Sequence, residues 1–300
     1  IRKIQKRLSG PKLNIVAAVE KFEALPELHA HADAYLDAIL RDHYEQQRFD
    51  DLTVVLQFLR GLLHIDPEFT LQGCWVLHQV DSHLGTSSHH HHSLALPYFI
   101  FKLTGTLIGT STQARVDQFW AEWFAPSVQA IVLGQNVQLE SVARNASLYA
   151  AADDLKYDAQ RRFAFLLSEP WVPNPEEREA HWRVVPGNDA KTWFYIANAK
   201  YPVEYLYASD SQHSIGAGHY AFTWCDGHLS GERQAEARWE LHTFGDRDVF
   251  ALFNPRHRVF LYAAVEMRDD QRRFVFMLRP EDAAPHVDED RKWLLRACVQ

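Results

Sequence analysis

The chain has 300 residues, a formal net charge of −8, a hydrophobic fraction of 47% and an aromatic fraction of 13%. This length is enough for one large or two ordinary domains. The composition is that of a globular protein and excludes a disordered one. The negative charge provides no basic stripe of the kind that displaces counterions from nucleic acid, so we expect no nucleic-acid partner.

Three cysteines, Cys74, Cys225 and Cys298, are too few for a disulfide-dense scaffold and lack metal-finger spacing. At most one bridge can form. Either a Cys225–Cys298 disulfide or three reduced thiols fits the sequence. No stretch is long and apolar enough to span a bilayer. The chain opens at Ile1 without a charged-then-apolar leader, which fits a secreted protein whose signal peptide has been removed, or a trimmed chain.

The first 134 residues carry the apolar spacing of helices. One helix face starts at Leu52, and Asp66 begins a helix-start signal with Pro67 behind it. The segment 94–109 predicts a buried broken helix, and the segment 113–132 predicts a final helix. We therefore expect an all-α domain over residues 1–134.

Residues 135–300 contain three copies of one pattern, at about 135–188, 189–245 and 246–300. Each copy opens with a short alternating strand, as in VQLES from Val137. Three kinds of anchor follow. They are the Leu-Tyr-Ala tyrosines (Tyr149, Tyr207, Tyr262), the first ring of an aromatic-x-aromatic pair (Phe163, Phe222, Phe274) and a closing tryptophan (Trp182, Trp239, Trp293).

Four strands per copy give twelve strands, and three copies packed around one axis hide one another's edges. A propeller normally needs at least four blades, and an open repeat stack needs capping units. The pattern thus predicts a β-trefoil over residues 135–300. Together with the helices, the predicted fold class is α+β, with an all-α amino-terminal domain followed by the trefoil.

Three segments carry a resemblance to a known family: WFYIANAKYPVEYLYA (193–208), HYAFTW (219–224) and ARWEL (237–241). They resemble the β-trefoil domain of the insect thirty-kilodalton haemolymph lipoproteins, in which a small helical domain comes first. The Leu-Tyr-Ala and Arg-Arg-Phe-x-Phe elements resemble repeats of secreted mosquito proteins. The resemblance covers about residues 135–300.

That resemblance implies secretion, a carrier or storage role and, in some members, lipid or glucan binding. It implies no catalytic residues. Ricin-type lectin trefoils are more distant, because their repeats close on Gln-x-Trp, whereas these close on Ala-His-Trp, Ala-Arg-Trp and Arg-Lys-Trp.

Two arginine pairs precede the aromatic pair in the first and third copies, Arg161-Arg162 and Arg272-Arg273, each behind aspartates. They fit either two pseudo-symmetric sites for an anion or a sugar acid, or salt bridges that close a copied hairpin. The middle copy has Gly218-His219 instead.

The loops before each closing tryptophan differ most between the copies, and binding residues favour variable loops on a rigid scaffold. Trp171 in the first of these loops fits either a stacking platform for a sugar ring or a hydrophobe that plugs the loop. The run His89, His90, His91 and His92 fits a zinc or copper site, a pH-responsive segment, or a solvated run. Asn145-Ala146-Ser147 is a glycosylation sequon if the chain is secreted.

The sequence carries no Gly-x-Ser-x-Gly, phosphate loop, His-Glu-x-x-His or dinucleotide fingerprint. We therefore expect a secreted, non-enzymatic carrier, storage or ligand-binding protein without a cofactor. Its expected partner is a small hydrophobic ligand or a glycan, with self-assembly as an alternative route to storage. The competing hypothesis is a lectin-like protein that binds sugar in the trefoil loops.

Overall fold

The computed structural model describes residues 94–105, 113–167, 178–188, 193–210, 213–215, 218–227, 229–243, 248–280 and 285–298. The helices that we expect from Leu52 and Asp66 lie outside these residues. The chain divides into two compact units, with Leu96–Trp123 in the first and Phe124–Gln300 in the second. Within the described part, no helix has the length and apolarity needed to cross a membrane.

The α-helices of the described residues are α1 (Ala95–Thr104), α2 (Gln113–Trp123), α3 (Pro126–Val132) and α4 (Gly231–Glu236). The segment that predicted one helix over 113–132 forms two, because Pro126 has no N–H to continue the ladder of α2 and instead starts α3. Inside the first unit, the indole of Trp120 donates to the hydroxyl of Thr104 at 3.1 Å.

The strands of the described residues are β1 (Val137–Ser141), β2 (Ala146–Ala150), β3 (Arg161–Leu167), β4 (His181–Pro186), β5 (Phe194–Asn198), β6 (Tyr205–Ala208), β7 (Ser214–Ile215), β8 (Gly218–Trp224), β9 (Glu240–Thr243), β10 (Val249–Asn254), β11 (Val259–Met267), β12 (Arg272–Leu278) and β13 (Trp293–Ala297). Each repeat contributes four of them, and the middle repeat adds the short β7. The described part is thus mainly a β structure.

The first and last strands of the repeats close into an antiparallel ring of six strands. In this ring β1 pairs with β13 and β4, β4 with β5, β9 with β10, and β10 with β13. A bridge between Phe194 and Trp239 joins β5 to the start of β9. A closed ring leaves none of these six strands with an unpaired edge.

The middle strands form three hairpins, β2–β3, β6–β8 and β11–β12. The second strands of the hairpins, β3, β8 and β12, also pair with one another in all three combinations. A six-stranded ring combined with three mutually paired hairpins is a β-trefoil-like arrangement.

The three closing tryptophans are equivalent in this arrangement. Each indole N–H donates to the carbonyl of the leucine in Leu-Tyr-Ala, from Trp182 to Leu148 (2.9 Å), from Trp239 to Leu206 (2.8 Å) and from Trp293 to Leu261 (3.0 Å). All three side chains are fully buried. The ring of each tryptophan is buried, and its only donor, the indole N–H, has an acceptor. The copied tryptophan therefore connects the last strand of each repeat to the hairpin of the same repeat.

Two asparagines, which the sequence analysis did not single out, connect neighbouring repeats. The amide of Asn198 donates to the carbonyl of Glu179 at 2.8 Å, and that of Asn254 donates to the carbonyl of Glu236 at 2.7 Å. The first repeat has Ser141 in this position. In the sequence, this role is visible only as the asparagine that ends WFYIAN and VFALFN, where VQLES ends in serine.

The predicted fold class is wrong for the part of the chain that the structure describes. The described residues form a closed β structure with few helices, and they show no all-α amino-terminal domain. Helical periodicity in 94–134 correctly predicted local helices, but a domain also needs other elements against which each helix can bury its apolar face.

Candidate functional site: the aromatic cap and its arginines

The registers of the hairpins define which aromatic residues are equivalent. Tyr149 pairs with Phe165, Tyr207 with Phe222, and Tyr262 with Phe276. The repeat tyrosines are therefore equivalent, as predicted. The ring that precedes Phe222 in its pair is Tyr220, so the alignment of Phe222 with Phe163 and Phe274 is wrong by two residues.

The cause of this error lies in the sequence HYAFTW, which contains two overlapping aromatic-x-aromatic pairs, Tyr220-Ala-Phe222 and Phe222-Thr-Trp224. Pairing between strands selects the first of them, because β8 places Tyr220 opposite Phe276 and Phe222 opposite Phe163. A shift of two residues keeps every side chain on its face, so alternation alone cannot reveal it.

Nine rings thus occupy equivalent places on the three hairpins, and we call this group the aromatic cap. Its members are Tyr149, Phe163, Phe165, Tyr207, Tyr220, Phe222, Tyr262, Phe274 and Phe276. The three central rings contact one another, with centroid distances of 5.4 Å from Phe163 to Tyr220, 5.4 Å from Tyr220 to Phe274 and 6.4 Å from Phe163 to Phe274. The hairpins therefore meet on an aromatic surface.

Part of the aromatic cap is accessible. Tyr220 and Phe274 are partly exposed, while Phe163 is buried. Tyr157 is 42% exposed and packs edge-to-face on Phe163 at 5.3 Å. Its hydroxyl lies 3.3 Å from Nδ1 of the half-buried His213.

The turn of the third hairpin adds a cation to this surface. The guanidinium carbon of Arg268 lies 5.1 Å from the ring centre of Phe163 and 5.3 Å from that of Phe165. Arg268 and Tyr157 occupy matching turns, since the N–H of Tyr157 donates to Arg161 O and that of Arg268 donates to Arg272 O. The rim of the cap therefore combines a phenol, an imidazole and a guanidinium.

Arg161 and Arg272 close their hairpins. Arg161 bonds Asp158, and Arg272 donates to Asp269 at 2.7 Å. Each carboxylate also accepts the backbone N–H of its arginine, at 2.8 Å and 3.0 Å. Burial acts to raise the pKa of both aspartates, but the backbone and guanidinium donors outweigh it and lower each pKa. The salt bridges that the sequence offered as one alternative are present.

The same two arginines lie beside the repeat tyrosines of the next hairpin. Burial raises the pKa of Tyr149 to about 12, and the charge of Arg272 opposes that rise. Burial likewise raises the pKa of Tyr207, with Arg161 in the opposing role. The middle repeat has Gly218 at this position, where an added Cβ would lie 3.1 Å from the ring of Phe276.

Arg162 is a structural residue. It is 1% exposed, and it binds both carboxylate oxygens of Glu204, at 2.9 Å and 3.0 Å. It also donates to the carbonyl of Ala151 and to Asp153, and its guanidinium carbon lies 3.7 Å from the ring centre of Tyr201. Burial acts to lower the pKa of Arg162, but the bonds to Glu204 and Asp153 outweigh it and raise that pKa.

Arg273, at the matching place in the third repeat, has different surroundings. It is half-buried and donates to the carbonyl of Val265 at 2.8 Å. The four arginines of the predicted ligand sites therefore divide into two that close hairpins, one that is buried in the interior, and one that donates to a backbone carbonyl.

The other predicted site residues divide by location. Trp171 and the run His89, His90, His91 and His92 lie outside the described residues. Asn145 is exposed in the turn between β1 and β2 and has a φ of 49°, which asparagine tolerates well. Its glycosylation stays a prediction. The described residues contain no cluster of metal-ligating side chains.

The Cys225–Cys298 disulfide that the sequence left open does not form in the structure. Both residues are half-buried free thiols. Burial raises the pKa of each to about 11, and the charge of Glu204 adds to the rise at Cys225. Cysteine count limits the number of bridges, but only the folded backbone decides whether two thiols meet.

No protein-family model and no curated protein matches this chain. Among solved structures, it is similar to a salivary protein of the Cysteine and Tryptophan-Rich (CWRC) family from Culex quinquefasciatus, with 20% identity, a TM-score of 0.40, and coverage of 54% of this chain and 93% of that one. It is also similar to an SDF2-like protein from Arabidopsis thaliana, with 15% identity, a TM-score of 0.41, and coverage of 54% and 91%.

A third similar structure is ThreeFoil, a designed threefold-symmetric protein, with 13% identity, a TM-score of 0.39, and coverage of 53% of this chain and 96% of that one. A likeness to mosquito salivary proteins is thus present over about half of the chain at low identity. The resemblance to the thirty-kilodalton haemolymph lipoproteins stays a prediction. The class that the registers define is a protein with a β-trefoil-like fold.

Proposed function

We infer that this chain is a secreted, non-enzymatic ligand-binding protein with a carrier or storage role, and that the aromatic cap is its binding surface. One observation carries the inference: Tyr157, Tyr220 and Phe274 offer partly exposed rings where the three hairpins meet. A small ligand with an apolar ring gains stacking and burial on such a surface.

The surface behind these rings is rigid, which favours binding. Phe165 and Phe222 are fully buried, and β3, β8 and β12 pair with one another. A surface that is ordered before the ligand arrives loses less conformational entropy on binding. The non-enzymatic role rests on the sequence, which carries none of the catalytic motifs considered above.

The test begins with the native protein. Mass spectrometry of the purified chain is expected to find a co-purified apolar ligand, and an apolar fluorescent probe is expected to bind saturably. Tyr157→Ala should weaken probe binding about tenfold, because it removes an exposed ring. Tyr195→Ala removes a partly exposed ring on β5 outside the cap and should leave binding unchanged. Equal losses in the two variants would contradict the proposal.

A second candidate function, carbohydrate binding, is favoured by the polar rim. A sugar presents an apolar C–H face to a ring and hydroxyls at its edge, where His213 and Arg268 could pair with them. A glycan array is the test. Saturable binding that Tyr157→Ala abolishes supports this function on the cap, and binding that only Trp171→Ala abolishes assigns the sugar to the variable loop.

Secretion has a test of its own. If the chain passes through the secretory pathway, the exposed Asn145 is expected to carry a glycan. Treatment of the native protein with an N-glycosidase should then lower its mass, and Asn145→Gln should abolish the difference. Sedimentation of the purified chain at rising concentration tests storage through self-assembly.

A further inference from the structure

Trp224, the last residue of β8, lies between two guanidinium groups. The guanidinium carbon of Arg233 lies 4.8 Å from the centre of its ring, and that of Arg161 lies 5.9 Å from it. Tyr207 packs edge-to-face on the same ring at 5.7 Å. Trp224 itself is only 6% exposed, so two cations approach a nearly buried indole.

This cluster holds hydrogen-bond donors that the fold does not use. The indole N–H of Trp224 and the Nε–H of Arg161 are both buried without an acceptor among the described residues. Nη1 of Arg161 donates to Asp158, and Nη1 of Arg233 donates to Glu236 at 2.5 Å. Buried donors in native proteins normally have a partner, and two unpaired ones in one cluster call for an acceptor.

We propose that Trp224, Arg161 and Arg233 form a site for one oxyanion group, a carboxylate, sulfate or phosphate. An oxyanion offers only acceptor atoms, which suits a cluster of hydrogen-bond donors that have no acceptor. Its charge gains from the two guanidinium groups, and bonds between charged partners are the stronger kind. This proposal rests on the cluster around Trp224 and does not depend on ligand binding at the aromatic cap.

The fold supplies a matched comparison. Arg161 lies opposite Trp224 in the register of β3 and β8, and Arg272 lies opposite Leu167 in the register of β12 and β3. Tyr149 takes the place of Tyr207 beside Arg272. The copied position around Arg272 has an aliphatic side chain where the first has an indole donor. The structure thus favours one anion site over the two that the arginine pairs predicted.

The test is an NMR titration of the ¹⁵N-labelled full chain at constant ionic strength. The chain has nine tryptophans, and the indole resonance of Trp224 is identified by its loss in Trp224→Phe. Sodium sulfate, inorganic phosphate and glucuronate, each compared with chloride, are expected to shift this resonance saturably. Tighter binding of glucuronate assigns the site to sugar-borne carboxylates, and tighter binding of sulfate or phosphate assigns it to those anions.

Two variants make the test specific. Arg233→Gln removes a cation from a partly exposed position and should weaken binding about tenfold or more, because it removes charged hydrogen bonds. Arg272→Gln is the control and should change the affinity less than twofold. An indole resonance that none of the three anions shifts overturns the proposal, as does an Arg272→Gln variant that loses as much affinity as Arg233→Gln.

If Trp224→Phe does not fold, thermal unfolding of the other proteins decides the question. Sulfate should then raise the melting temperature, relative to chloride, by more in the wild-type chain and in Arg272→Gln than in Arg233→Gln, because its general stabilising effect acts on all three and only the first two keep the site. Equal shifts in all three proteins contradict the site.

Discussion

Arg162 and Arg273 occupy the same place in two copies of one unit, and their surroundings differ. Arg162 is buried in a network with Glu204, Asp153 and the carbonyl of Ala151. Arg273 is half-buried and donates to the carbonyl of Val265. Duplication copied the position of the arginine but not its partners.

The difference originates in the neighbouring repeat. Three residues before the repeat tyrosine stand Ala146, Glu204 and Val259, so only the middle repeat supplies a carboxylate there. Glu204 also accepts a hydrogen bond from the hydroxyl of Thr223 at 2.6 Å, which is the third bond to this carboxylate. A repeated arginine therefore becomes structural only where the adjacent copy has diverged to receive it.

The largest expected effect is on the free energy of unfolding, and it distinguishes the network of Arg162 from the surroundings of Arg273. Glu204→Gln removes the buried carboxylate and leaves the guanidinium of Arg162 with only the exposed Asp153 as a counter-ion, so the free energy of unfolding should fall by about 3 kcal/mol or more. Arg273→Gln, the matched control, should cost less than about 1 kcal/mol. Urea unfolding followed by circular dichroism measures both. Similar losses in the two variants would contradict the assignment of Arg162 as structural.

The next effect concerns the copied feature that all three repeats retain. Trp182→Phe, Trp239→Phe and Trp293→Phe each leave a buried leucine carbonyl without its donor and create a small cavity. Each change should cost about 2 kcal/mol. The same unfolding assay applies. A variant that unfolds like the wild type would show that the threefold equivalence does not extend to the energetics of that repeat.

The reactivity of Cys225 can be used to test the Arg162 network, because, besides burial, Glu204 of that network raises the pKa of the Cys225 thiol. With a pKa of about 11, Cys225 and Cys298 hold little thiolate at pH 8, so iodoacetamide should alkylate both slowly. Because the folded pKa values are raised, these thiols favour the folded state below the ordinary thiol pKa, and this stabilisation is lost as the pH rises toward about 11.

In Glu204→Gln the anionic neighbour of Cys225 is gone, so alkylation of Cys225 should become several-fold faster, while that of Cys298 should not change. Peptide mapping by mass spectrometry separates the two rates. An equal acceleration at both cysteines would indicate general unfolding rather than a local change in pKa.

The smallest effect tests a contact that duplication preserved. Asp158→Ala and Asp269→Ala each remove a carboxylate that accepts one guanidinium and two backbone N–H groups in a hairpin turn, and each should cost about 1 kcal/mol. Because both pKa values are lowered, this stabilisation is present above the ordinary aspartate pKa of about 3.9 and is lost as the pH falls below it. Unfolding at pH 7 and pH 3 measures the effect, which should be alike in the two hairpins.

Much of the candidate site was present in the sequence as repetition. The repeat tyrosines, the closing tryptophans and the aromatic pairs of the first and third repeats could be read from their spacing, because copied units fold alike. The pair of the middle repeat could not, because HYAFTW contains two overlapping pairs. The role of Arg162 could not, since its partner Glu204 lies 42 residues away. The accessible ring of Tyr157 was also missed, because Tyr157 is not part of the repeated motif and only the hairpin turn places it on Phe163.

By itself, the sequence determined the threefold duplication, the alternation of the strands and the local helices α1 and α2, because these depend on side chains close together in the chain. The tertiary structure alone decided that Tyr220 rather than Phe222 matches Phe163, that Cys225 and Cys298 stay unpaired, and that one arginine of four is buried. Strand register and burial depend on contacts between backbone atoms and charges that are far apart in the chain, and short-range periodicity does not specify those contacts.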